Sequence, residues 1–175
     1  MDGNCDDGKG TQKFEDGSQY VGTFKDGQRD GFGKFIWSSD GVSRTGEKYP
    51  TSEYLGQFRN GLRHGPGVLR WVNGNVYMGD FMDGQVHGFG TKEYEDKRTY
   101  IGNWRDGKRE GFAKYTFADG SIYVGGYKDN KKHDETGLAL YIKPVENGYW
   151  FVKYNNGKLT ESSKISMGKW VPKLD

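Results

Sequence analysis

Aromatic and polar positions alternate along this chain in a pattern that returns every 23 residues. It opens as Tyr-x-Gly-x-aromatic at Tyr20-Gly22-Phe24, Tyr54-Gly56-Phe58, Tyr77-Gly79-Phe81, Tyr100-Gly102-Trp104 and Tyr123-Gly125-Tyr127. Alternate residues of a strand point the same way, so each triplet puts tyrosine, glycine and a second ring on one face. A polar segment follows, with glycine at Gly27, Gly61, Gly84 and Gly107. Asp-Gly and Asn-Gly between apolar runs are strong hairpin signals. The return strand opens with Gly-x-Gly at Gly31 and Gly33, Gly65 and Gly67, and Gly88 and Gly90, while the next copy keeps Gly111 but has Ala113. The chain turns again at Asp16-Gly17, Asn73-Gly74 and Asp119-Gly120. This pattern predicts an all-β fold, an elongated single-layer antiparallel β-meander built from tandem 23-residue β-hairpin repeats. Each repeat would advance the sheet by about 10 Å.

The phase holds beyond the clear units. Seventeen residues after an opening tyrosine comes a third ring, at Trp37, Trp71, Tyr94 and Phe117, with Phe14 in register before them and Tyr141 one residue late. Gly8 and Gly10 stand 23 residues ahead of Gly31 and Gly33, as the end of a preceding half-unit. The first step is 34 residues, which places an 11-residue insertion in the polar stretch 38–53, an expected enlarged loop. A fifth unit has Asn130 in place of its turn glycine, and a sixth, Trp150-x-Val152-x-Tyr154, has Val152 where glycine belongs. The expected organisation is a disordered tail over 1–7, a repeat array over 8–157 and a C-terminal cap or tail over 158–175. Atypical ends suit a repeat array, because a terminal unit has no neighbour on one side.

Composition supports a thin sheet. Only 33% of the 175 residues are hydrophobic, yet there are 12 Tyr, 10 Phe and 5 Trp, together with 29 Gly. A glycine between two rings leaves bare backbone, across which a ring from the neighbouring strand is expected to lie. The 26 Lys and Arg nearly balance the 24 Asp and Glu, so no nucleic-acid partner is expected. Cys5 is alone and cannot form an internal disulfide, which suits a reducing compartment. The first residues lack the basic and apolar regions of a secretory signal, and apolar runs are too short to span a membrane. A soluble, cytoplasmic protein is expected.

The frame Tyr-x-Gly-x-(Trp/Phe)-x-x-Gly-x-x-x-Gly-x-Gly resembles the MORN (membrane occupation and recognition nexus) repeat, over roughly residues 8–157. The resemblance implies a twisted antiparallel meander and a non-catalytic role. Family members occur in junctional membrane tethers, in ciliary radial-spoke heads and as partners of unconventional myosins. Others are appended to the separate catalytic domains of lipid kinases and a lysine methyltransferase. By this resemblance the chain is a scaffold or adaptor associated with the cytoskeleton, within a cytoskeletal or ciliary (axonemal) assembly.

Candidate chemistry is sparse. His64, His87 and His133 each follow an opening tyrosine by ten residues. Equivalent points on adjacent repeats lie about 10 Å apart, whereas zinc ligands sit about 2 Å from the ion, so these are expected turn residues rather than a metal site. The Gly-x-Gly pairs lack the third glycine and the strand-turn-helix setting of a dinucleotide site. No Gly-x-Ser-x-Gly elbow is present, and neither enzymatic activity nor a cofactor is expected. Two functions stay open. A protein-binding platform assigns contact to Trp37, Tyr54, Phe58, Trp71, Tyr77, Phe81, Tyr94, Tyr100, Trp104 and Phe117, since aromatic side chains anchor interfaces. Cytoskeletal, ciliary or motor proteins would then be the partners. An anionic-phospholipid-binding membrane tether needs a basic patch. The turns mix both signs, which leaves Lys131, Lys132 and His133 as lipid-binding candidates. Val21, Leu55, Met78, Ile101 and Val124 form an apolar row on the opposite face, read as either a second contact or ordinary strand propensity, with the latter favoured. A second copy could pair through an exposed end strand, giving a homodimer.

Overall fold

A computed structural model describes residues 2–3, 5–38, 52–143 and 148–165. Its strands are β1 (Asp2–Gly3), β2 (Gly8–Lys13), β3 (Gln19–Lys25), β4 (Gln28–Ile36), β5 (Glu53–Arg59), β6 (Leu62–Arg70) and β7 (Val76–Met82). There follow β8 (Gln85–Glu93), β9 (Thr99–Arg105), β10 (Lys108–Thr116), β11 (Ile122–Lys128), β12 (Lys131–Lys132), β13 (Asp134–Lys143), β14 (Gly148–Asn155) and β15 (Lys158–Lys164). Fourteen of them stand in chain order in one antiparallel sheet, and the short β12 pairs with β11. There is no helix among the described residues. At about 4.8 Å per strand, the sheet extends roughly 60 Å across its strands.

The turns follow from residue type. Asp26-Gly27, Asn60-Gly61, Asp83-Gly84 and Asp106-Gly107 all have positive φ at both positions, the type I′ geometry whose twist matches that of the flanking strands. Asn130 holds φ 69°, because asparagine tolerates the left-handed region, so the fifth hairpin keeps its turn. At the opposite corners Asp16, Asn73, Asp96 and Asp119 accept the N–H of the residue two further on, at 2.8–3.2 Å.

A row of glycines crosses the sheet at right angles to the strands. Gly3, Gly10, Gly22, Gly33, Gly56, Gly67, Gly79, Gly90, Gly102, Ala113 and Gly125 oppose one another in unbroken register from β1 to β11. Over this row lie the five opening tyrosines, each fully buried. A Cβ on Gly90 would fall 2.6 Å from the Tyr77 ring, and one on Gly67 equally close to that of Tyr54. The same tyrosine rings also cover the glycine two residues further on along their own strand, Tyr20 over Gly22 and Tyr54 over Gly56. Each ring thus spans two opposed glycines: at Gly33, Gly67 and Gly90 it comes from the neighbouring strand as expected, and at Gly22 and Gly56 it comes from the same strand. Each phenol then donates to the carbonyl three residues on, Thr23, Gln57, Asp80, Asn103 and Gly126, at 2.7–3.1 Å. The two glycines of Gly-x-Gly differ in purpose. The second is bare beneath the tyrosine, while Gly31, Gly65, Gly88 and Gly111 have φ of 60–85°, which a side chain rarely adopts, where the strand register shifts.

The rings interlock edge to face in one run: Phe24, Tyr20, Phe58, Tyr54, Phe81, Tyr77, Trp104, Tyr100, Tyr127, Tyr123 and Tyr154. Neighbours have centroids 4.8–5.6 Å apart and planes at 71–90°. This is the favoured geometry, at about 0.5–1.5 kcal/mol per pair beyond burial. Every tyrosine touches the second ring of its own unit and that of the next, so the stack is also what joins the units. It ends at Tyr154, because Val152 blocks the bare backbone and Trp150 lies against Gly148 instead.

Hydrogen bonds join the turns as well. The second turn residue donates to a carbonyl of the preceding unit, Gly61 to Arg29, Gly84 to Arg63, Gly107 to Val86, Asn130 to Arg109 and Gly157 to Lys132, at 2.7–3.1 Å. The first turn residue's N–H meets the next side chain of that unit: Asp30 for Asn60, His87 for Asp106, Glu110 for Asp129 and His133 for Asn156. In these units the slot supplies an acceptor, while in the second unit the Nδ1 of His64 is buried without a hydrogen bond.

Three expectations change. Residues 5–7, expected in a disordered tail, supply this same clasp to the first hairpin: the Asp6 carbonyl takes the Gly27 N–H and Asp7 takes that of Asp26. Asp2–Gly3 adds a strand before them. Lys158–Lys164, expected in a cap or tail, is the last strand of the sheet. Tyr141 does not join the third-ring ladder but stands opposite Tyr123, as Tyr115 stands opposite Tyr100, because β13 carries extra residues between Asp134 and Ala139. Most of the expected 38–53 loop lies outside the described residues; its ends are joined by the Trp37 N–H donating to the Ser52 carbonyl at 3.0 Å.

Valine at Gly79 would put its Cβ 2.5 Å from the Gly90 Cα and 2.6 Å from the Phe89 oxygen, and at Gly102 it would collide with the Ala113 methyl. Either substitution should lower unfolding stability by about 1–3 kcal/mol or more in urea denaturation. Unchanged or increased stability would show that nothing crosses the glycines.

Candidate binding face

The ten aromatic side chains assigned to partner contact divide in two. Tyr54, Phe58, Tyr77, Phe81, Tyr100 and Trp104 are 0–6% exposed, locked in the stack with almost no surface to offer. Partner contact through these six is corrected accordingly. Trp37, Trp71, Tyr94 and Phe117 are half-buried. They start the corners opposite the hairpin turns, where each closes its loop through backbone hydrogen bonds, and so stand along one margin of the aromatic face. Trp37 and Trp71 flank a cleft of about 330 Å³ completed by Ser52, Arg63 and Leu69. A second, of about 430 Å³, lies among Tyr141, Lys143, Trp150, Val152, Tyr154, Leu159 and Ser162.

Two further positions line this face and escaped the sequence reading. Fifteen residues after each opening tyrosine, and opposite it, come Phe35, Leu69, Lys92 and Tyr115. Nine residues after it come Arg29, Arg63, Val86, Arg109 and Lys132. Both are visible as phase positions of the same 23-residue repeat. The arginines lie over the rings: Arg29 is 5.1 Å from the Phe35 centroid, Arg63 5.4 Å from Phe81, and Arg109 5.1 Å from Tyr127. Each also returns a hydrogen bond to the next hairpin turn, at the carbonyls of Gly61, Gly84 and Asn130. Lys92 reaches Trp71 at 4.6 Å and Tyr94 at 5.1 Å. Desolvation holds Arg29, Arg63 and Lys92 below their ordinary values.

The three lipid-binding candidates do not form one patch. Lys131 is exposed. Lys132, on the opposite side of the same strand, inserts its ammonium among Phe117, Tyr123, Tyr141 and Tyr154, 4.7–5.3 Å from the four centroids. Burial there, with Arg109 nearby, pushes it down to about 8. His133 accepts the Asn156 N–H at 3.3 Å. His64 and His87 each stand 3.5 Å from a turn carboxylate, Asp83 and Asp106. Among the described residues, no three His, Cys, Asp or Glu could hold a metal. Cys5 is half-buried with its Sγ 3.7 Å from the Thr11 carbonyl. The opposite face exposes Val21, Leu55 and Met78 as expected, and adds Phe32, Phe89 and Phe112 from the middle of Gly-x-Gly or its equivalent, at 58–66% exposure.

A family model described as MORN repeat matches residues 20–42, 54–76, 77–97 and 100–122, just over half the chain. The chain belongs to the MORN repeat family. No curated protein matches it. MORN repeats generally form non-enzymatic scaffolds that bind proteins or membrane lipids. In this member, that means a sheet whose rings are mostly spent on one another, leaving the rim residues and half-buried cations facing outward.

Alkaline pH tests the stack. Burial pushes Tyr20 and Tyr54 up to about 12 and raises Tyr77, Tyr100 and Tyr123 further. An unfolded tyrosine ionises near 10, so above that pH the unfolded chain loses protons that the folded chain keeps. The stabilisation is complete below pH 10 and is lost as pH rises through the folded values. Lys132 acts oppositely, its contribution falling away as pH drops through about 8. The melting temperature should therefore collapse between pH 10 and 12 together with phenolate absorbance. A melting temperature that stays level across that interval would contradict the burial.

Proposed function

We propose that the chain is a non-catalytic scaffold that docks a segment of a partner protein on its aromatic face. The supporting observation is the ladder of Trp37, Trp71, Tyr94 and Phe117, half-exposed on a rigid stack. Aromatic anchors held in place before binding lose little conformational entropy. The setting we propose, a cytoskeletal or ciliary assembly in the cytoplasm, comes from the roles of other family members. The alternative of an anionic-lipid tether is weakened by the dispersal of Lys131, Lys132 and His133.

The test is affinity capture of partners from cell extract, followed by titration of the recovered partner against variants. Trp37→Ala, Trp71→Ala and Tyr94→Ala should include at least one hot spot costing about 2 kcal/mol or more, in proteins shown to melt like the parent. Lys131→Ala should change little. Partner binding that survives all three ring truncations together would sink the docking face. Flotation with phosphatidylserine vesicles that requires Lys131 and disappears at high salt would support the tether instead.

A further inference from the structure

We infer that the aromatic face takes an extended protein segment carrying an acidic side chain about every third residue, received by Arg29, Arg63, Lys92, Arg109 and Lys132. This rests on the docking face proposed above and adds the chemistry of its ligand.

Five successive units each place a cation among the rings of this face, and none of these five has a carboxylate within ion-pair distance among the described residues, unlike Arg98, which lies over Tyr94 paired with Asp96. Asp26, Asp83, Asp106 and Asp129 are in the hairpin turns, and Asp134 is the buried acidic residue of the ring side, opposite Tyr154 among the described residues. A chain of nearly balanced charge has thus gathered positive charge on its ring-lined side. Half-buried cations are costly unless paired, and ring faces recover only part of the loss.

A bland explanation is that these side chains serve only to clasp the next turn, as Arg29, Arg63 and Arg109 do. The third unit separates the two roles. There the clasp position is Val86, whose carbonyl still takes the Gly107 N–H. The cation comes instead from Lys92, in the slot held elsewhere by Phe35, Leu69 and Tyr115. Lys92 donates no hydrogen bond to any described residue, yet its ammonium lies on the same face, over Trp71 and Tyr94. Lys132 likewise occupies its cage without a hydrogen bond to a described residue. The charge is maintained where the clasp by its head group is not.

Spacing gives the ligand's pattern. Units advance by about 10 Å, and a chain in the polyproline II conformation rises about 3.1 Å per residue with three residues per turn, so acidic groups three apart lie on one side and would meet successive cations. A protein segment fits better than a bilayer, because the cations are sunk between rings, whereas membrane surfaces engage protruding basic side chains.

The probe is a fluorescein-labelled peptide of about fifteen residues repeating Glu-Pro-Pro, which holds the polyproline II conformation and is long enough to pass five units, compared with the same peptide carrying Gln for Glu. Both are titrated into the full chain by fluorescence anisotropy at low and physiological salt. The Glu peptide should bind at least about tenfold more tightly, with the difference narrowing as salt rises. The double variant Lys92→Gln, Lys132→Gln should lose about tenfold or more for the Glu peptide alone, while Lys131→Gln leaves it unchanged. Equal affinity for both peptides would overturn the acidic-ligand inference and leave the docking face standing. Binding of neither, or binding only to phosphatidylserine vesicles, would overturn it too. Should the double variant fail to fold, the comparison of the two peptides on the unaltered chain still decides.

Discussion

A tyrosine ring lying across two glycines on neighbouring strands is the contact on which the rest of this sheet depends. It needs little or no side chain beneath the ring, so glycine, or at most alanine as at Ala113, recurs in register from strand to strand. The row from Gly3 to Gly125, broken only by Ala113, meets that demand. With the ring flat against the backbone, its hydroxyl reaches a carbonyl three residues on, and its edges meet the second rings of two units. One residue type thereby covers the backbone, fills the core and couples each unit to the next. No second layer is required, which is why so few aliphatic residues suffice.

Function follows from what the stack leaves over. Rings inside it are committed to one another and offer a partner no surface. Those at the corner loops, Trp37, Trp71, Tyr94 and Phe117, are held from one side only. The cations lie over the rings, and Arg29, Arg63, Arg109 and Lys132 are also joined to the next turn by their carbonyls, so their positions are set before any ligand arrives. The turn clasps add a second connection between units, in which aspartate, glutamate and histidine serve alike as acceptors.

The period, the two strands per unit, the Asp-Gly turns and the single aromatic face were all legible in the sequence, because each depends on local residue type and spacing. The crowding at Gly79 and Gly102 was legible for the same reason. Which ring crosses which glycine was not, since alternation names a face but not a rotamer. Treating every ring on the face as a contact residue ignored how completely Tyr77 or Tyr100 would be buried by neighbouring units. The cation row was hidden by the exchange at Val86 and Lys92, which splits one feature between two phase positions. Asp6 went unnoticed because a carbonyl acceptor leaves no mark in sequence, and Tyr141 because extra residues in β13 shift the count.

Proton chemical shifts of the glycine α-hydrogens test the central claim most directly. An aromatic ring face or edge held against a hydrogen displaces its resonance from the ordinary range. The account predicts displaced resonances for Gly22, Gly33, Gly56, Gly67, Gly79 and Gly90, and ordinary ones for Gly27, Gly61 and Gly84 in the turns. Ordinary shifts at the row glycines, indistinguishable from those of the turns, would contradict it.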